Sequence, residues 1–150
     1  MKNIFFATDC SEIIARINTL TPNTQRLWGK MSVDQVLAHL NVPYEYFYEN
    51  KYKKPPFLMK FILKAFVKKF VVNEVPYKAN LKTGPDFIIS SNKDFDLEKL
   101  RLISFINQTQ SLGAEHFDGK ESHSFGVLTS QEWNNMFYKH LDHHLKQFGA

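Results

Sequence analysis

The sequence predicts an all-α protein, a helical bundle forming one domain over residues 1–150. Three observations lead to this class. Two capping boxes mark helix starts, Ser32-Val33-Asp34-Gln35 and Thr129-Ser130-Gln131-Glu132, in which side chains of the first and fourth residues satisfy free backbone donors reciprocally. Apolar residues recur at helical spacing in five separate segments. No segment shows the alternation of a strand, and Phe87-Ile88-Ile89 is the one short run with extended character.

Taken in order, the first helix is expected from about Asp9 to Thr19, with Ile13, Ile14, Ile17 and Leu20 on one face. Thr21-Pro22-Asn23 then breaks the chain, with proline suited to the start of a helical turn. The second helix starts at the Ser32 box, places Val33, Val36, Leu37 and Leu40 on one face, and runs to about Glu49 with a kink at Pro43. After Lys53-Lys54-Pro55-Pro56, residues Phe57 to Val72 read as a third helix whose Lys60, Lys64 and Lys68 share a narrow face. Its apolar residues wrap so much of the circumference that burial against the bundle is the expectation. Asn73 to Lys93 reads as a long ordered loop over the bundle. A fourth helix runs from Asp94 or Asp96 to about Leu112, stopped by Gly113. Gly119 and Gly126 bracket a loop containing His123. The last helix follows the Thr129 box and ends at Gly149.

The 150 residues include 43% hydrophobic and 15% aromatic side chains, with 14 phenylalanines, which is enough for one core. The net charge of +4 is mild, and the lysines gather between Lys51 and Lys69 rather than in a stripe with nucleic-acid motifs, so nucleic acid is not expected as a partner. A membrane partner is disfavoured by the expected burial of the Lys-rich helix, although basic amphipathic helices do bind membrane surfaces. The single cysteine, Cys10, allows no internal disulfide and has no histidine beside it to activate a thiolate. A start lacking an h-region points to the cytoplasm.

Chemistry concentrates in the six histidines. His140 and His144 lie one helical turn apart, so both imidazoles can reach one ion. His143, about 100° around the helix from His144, falls on the flank. A third ligand is required. His39, flanked by Ala38 and Leu40 on the second helix, is the leading candidate, and His123 is the alternative. Three imidazoles would leave coordination positions open, the pattern of catalytic rather than structural zinc. Asp142 is read as a solvated partner of a lysine, with orientation of a ligand histidine as the rival role. Trp28 and Trp133 are expected as core or pocket walls.

Trp28-Gly29-Lys30-Met31-Ser32 leading to Ala38-His39-Leu40, then His123-Ser124-Phe125-Gly126, Leu128-Thr129, Glu132-Trp133 and the run Tyr138 to Gly149, resemble an uncharacterised bacterial branch of the DinB/YfiT-like superfamily. The resemblance covers the chain from about Leu20 onward and is weak between Lys51 and Lys93. It implies an antiparallel four-helix bundle, with Phe57 to Val72 as an extra helix inserted between bundle helices two and three. It also implies a divalent metal (Zn, Ni, Fe or Mn) on His39, His140 and His144, and a homodimer. Some members transfer low-molecular-weight thiols. The expected function is therefore a metal-dependent hydrolase or thiol transferase acting on a small molecule, with His123 and His143 as candidate proton carriers. The alternative is a non-catalytic metal- or ligand-binding stress or sensor protein.

Overall fold

The computed structural model describes residues 1–49 and 51–150 and is mainly helical. Helix α1 spans Ala7–Thr19 and turns Cys10, Ile13 and Ile17 inward. It starts two residues earlier than the periodicity predicts, because the Asp9 carboxylate accepts from the Asn3 backbone N–H and folds the leading segment onto the helix. Helix α2 spans Val33–Tyr48, and Gln35 Oε1 accepts the Ser32 N–H at 3.0 Å, one half of the expected capping box. Pro43 lies inside α2 without ending it. The ring removes a donor to the His39 carbonyl, but Leu40 and Tyr44, on either side of it, are both buried and hold the helix in place.

Helix α5 covers Phe95–Phe117, opened by the Asp94 side chain accepting from Leu97 N–H. Gly113 (φ 74°) breaks the regular helix, as its sequence position predicts, but a further turn follows it and delivers Phe117 to the core. The glycine-bracketed loop contains a two-residue hairpin, β1 (Glu121–Ser122) paired antiparallel with β2 (Gly126–Val127), with Glu121 opposite Val127. Such strands are too short to show alternation. Helix α6, Ser130–Gln147, carries the complete Thr129/Glu132 capping box, and Gly149 adopts φ 73° beyond its end.

Helix α2 packs chiefly on α5, and α6 meets α1, α2 and α5. Ile13, Ile17, Leu37, Leu40, Tyr44, Leu102, Ile106, Phe117, Trp133, Phe137 and Leu141 form the core between them. Polar bonds lock the α2–α5 seam. Asn41 donates to the Glu98 carboxylate, and the buried Glu45 carboxylate accepts from Arg101, Lys51 and Tyr52. Those three donors hold the Glu45 carboxyl below its ordinary value against the opposing effect of burial.

One expectation is corrected. The third predicted helix forms, running without a break from α3 (Phe57–Ile62) through a π-helical stretch Leu63–Val67 into α4 (Lys68–Val71), but its packing differs. None of its residues is buried, so it does not bury its apolar side against the other helices. Of the Phe87-Ile88-Ile89 run, Phe87 ends a 3-10 turn over Pro85–Phe87 and Ile88 is extended, within the 73–93 loop.

Candidate metal centre

Helices α2 and α6 bring His39, His140 and His144 together. The ring centroids lie 4.8 Å apart for His39–His140, 4.5 Å for His39–His144 and 5.0 Å for His140–His144. One donor nitrogen of each lies within 4.8 Å of the others, and these are the three side chains that could together hold a metal ion among the described residues. His39 and His144 are buried, and His140 is partly exposed.

Each buried ring has its second nitrogen committed elsewhere. His39 Nδ1 lies 2.8 Å from the Phe87 carbonyl oxygen, so Nδ1 carries the proton and Nε2 keeps its lone pair. His144 Nδ1 lies 2.7 Å from Gln147 Oε1. The Gln147 amide is oriented in turn by its own Nε2–H, which donates to the Trp28 carbonyl at 2.8 Å. That amide makes His144 Nδ1 the protonated nitrogen, leaving Nε2 free. Carbonyl and amide partners of this kind fix ring orientation and tautomer in metal-binding histidines. His39 Nε2 and His140 Nε2 face each other at 2.8 Å. Two nitrogens sharing a tetrahedral zinc at bonds of about 2.0–2.1 Å stand about 3.3 Å apart, so a shift of a few tenths of an ångström at His140 suits them to one ion. The residues fit the group.

Gly29 explains the shape of the Trp28-Gly29 segment. It has φ +82°, and a Cβ there would collide with Gln147 Nε2. Only a residue without a side chain lets the chain pass this close to the amide that orients His144.

His123 stands apart from the triad, whereas His143 packs on its edge, 4.9 Å from His144 between ring centroids. His143 sits on the flank of α6 as predicted, packed on Trp28 at 4.7 Å and edge-on to Tyr77 at 5.5 Å. It lines a cleft with Trp28, Tyr77, Arg16, Lys139 and Asp142. The triad does not line that cleft; Trp28 and His143, both packed on His144, lie between them. His123 stacks on Tyr46 at 3.9 Å, and Tyr46 and Phe87 separate it from His39 and His140. Asp142 pairs with Arg16 and Lys146, not with a ligand histidine. Cys10 is buried, and burial pushes its thiol up, away from nucleophilic use. Trp133 is core, while Trp28 is a wall of the cleft. Sequence reasoning missed Phe87 and Gln147 as the groups that orient the two buried rings of the triad. Gln147, three residues after His144, had a legible signal in its helical spacing; Phe87 had none.

The triad is neutral at neutral pH. Burial holds His39 below the ordinary histidine value. Burial, with the neighbouring His39 and His144, holds His140 well below it, and burial lowers His144 to about 3. Neutral imidazole is the metal-binding form. In metal-free protein the unfolded chain takes up protons below pH about 6.5 that the folded triad refuses. Stability is therefore fully present above about pH 6.5 and falls as the solution is acidified. For His144 the slope approaches about 1.4 kcal/mol per pH unit below the unfolded value, with His39 and His140 adding in the same direction, read from urea midpoints between about pH 7 and pH 5. His144→Leu should flatten that slope; an unchanged slope would contradict the assignment.

A family model described as "Protein of unknown function (DUF1569)" matches residues 3–150. The chain belongs to the DUF1569 family. No curated protein and no solved structure matches this DUF1569 chain.

Proposed function

We propose that this DUF1569 protein binds one divalent metal ion (Zn, Ni, Fe or Mn) through His39, His140 and His144 and uses it in hydrolysis or in transfer of a low-molecular-weight thiol. The observation that carries the proposal is the convergence of the three rings with the outer nitrogens of His39 and His144 tied to Phe87 and Gln147. Helices α1, α2, α5 and α6 are read as an antiparallel four-helix bundle of the DinB/YfiT-like type, in keeping with their mutual packing and with ligands on the second and last bundle helices. A three-imidazole ion supplies Lewis-acid activation of a nucleophile at neutral pH.

The chain's own residues do the rest. His39 keeps its proton on Nδ1 against the Phe87 carbonyl, and His144 on Nδ1 against Gln147. His140 holds its proton on Nδ1 when Nε2 serves as ligand. The cleft beside the triad is lined by both charges, with Arg16 paired to Asp142, and His143 is the proton carrier nearest the triad.

Elemental analysis of protein purified without a histidine tag should find about one metal ion per chain. Thiol conjugates should be turned over by wild type and not by His140→Ala of unchanged helicity. No metal, and none taken up from Zn, Ni, Fe or Mn solutions, would reject the site. Metal without turnover would establish the second reading, a non-catalytic metal-binding protein, which the separation of the cleft from the triad favours.

A further inference from the structure

The Lys-rich segment is built the opposite way round from an ordinary surface helix. From Lys51 to Asn73 it has seven lysines and no acidic residue. Its spaced lysines turn toward the protein. Lys60 pairs with Glu121 at 2.5 Å, Lys68 pairs with Glu132 at 2.8 Å, and the Lys64 stem runs along Gly126. Leu63, Val67, Val71 and Val72 are half-buried against the protein, and the larger apolar side chains turn outward. Phe57 is 87% exposed, Leu58 69%, and Phe61, Phe66 and Phe70 61% each, with Val127 of the hairpin 61% exposed beside them. Large exposed apolar patches with a polar rim mark interaction surfaces.

We infer that this face docks on an anionic membrane surface, with α3 to α4 lying in the plane of the headgroups. Charge decides the occupant. A second copy meeting this face about a two-fold axis would set Lys53, Lys54 and Lys69 against the same lysines, and the nearby Glu121 and Glu132 are already paired. A bilayer accepts both halves of the surface: phenylalanine and leucine enter the acyl boundary while exposed lysines reach the anionic headgroups. The attachment lies on the membrane rather than across it, since no helix among the described residues is long and apolar enough to span one. The expected burial that disfavoured a membrane partner is the feature the structure does not show.

The test uses the full chain, with Phe61→Trp as reporter, and vesicles of phosphatidylcholine alone or mixed in equal parts with phosphatidylserine. Flotation with the mixed vesicles and a blue shift of the new tryptophan are expected, both weakened by added salt. Each of Lys53→Ala, Lys54→Ala and Lys69→Ala should weaken binding about fivefold. Phe61→Ser with Phe66→Ser should abolish it while metal content and helicity stay unchanged, because these side chains are exposed and lie outside the triad. Absence of binding to mixed vesicles would overturn the inference. So would a dimer in sedimentation that the double serine variant splits, since a second copy would then cover the face.

Discussion

Replacing His140 by alanine should weaken metal binding by about a hundred- to a thousand-fold. Zinc held by about four ligands in small proteins is worth about 10–16 kcal/mol, or roughly 3–4 kcal/mol per ligand, and about 1.4 kcal/mol is a factor of ten. His140 is the right residue to remove because its ring bonds to no group outside the triad, its one partner being His39 Nε2. It does remove the 2.8 Å contact with His39 Nε2, whose place water can take in the space the ring vacates. Metal-free stability should therefore stay within about 2 kcal/mol of wild type. Gln147→Ala supplies the graded comparison. It deletes the acceptor at His144 Nδ1 and the bond to the Trp28 carbonyl without touching a ligand atom. The loss of a group that orients a ligand typically costs about 10–100-fold in affinity. Competition with a chromophoric chelator ranks the three proteins. Equal affinity in all of them would mean that the histidines only fill space.

The helices that carry the triad were legible because their signals are local. A capping box occupies four consecutive residues, and an i, i+4 histidine pair needs nothing beyond helix geometry to converge. His39 was legible as a ligand candidate because apolar neighbours placed it on an inward face. The carbonyl that fixes its tautomer was not, since Phe87 lies 48 residues away in a loop without periodicity. The segment from Phe57 to Val72 fails differently: periodicity identifies which side chains share a face, but not which face meets the protein. Lys60 and Lys68 found carboxylates on the hairpin and on α6, and that pairing reversed the orientation. Gly113 makes a related point. Its positive φ ends the regular helix as expected, yet the following turn resumes because Phe117 finds a fully buried place among Phe5, Phe47, Trp133 and Phe137.

That aromatic cluster sets the second large effect. Trp133 is 2% exposed, two turns before His140 on the same helix, and packs on Phe137 at 5.4 Å, Phe47 at 5.2 Å and Phe117 at 5.6 Å between ring centroids. Trp133→Ala should cost about 3–5 kcal/mol, because the rings around it belong to three helices and cannot all close on the cavity. For a domain of this size that corresponds to a melting temperature lower by roughly 6–20 °C. Trp133→Phe should cost much less, below about 1.5 kcal/mol. The phenyl ring keeps the stacking, and the change removes the indole Nε1–H, which is buried with no hydrogen-bond partner. Burying an unpaired donor costs about 1–3 kcal/mol, a penalty the phenylalanine variant escapes and one that offsets much of its lost volume. Thermal and urea unfolding of the metal-free proteins measure the difference. A loss of about 3 kcal/mol or more in Trp133→Phe would show that removing the indole N–H brings no relief.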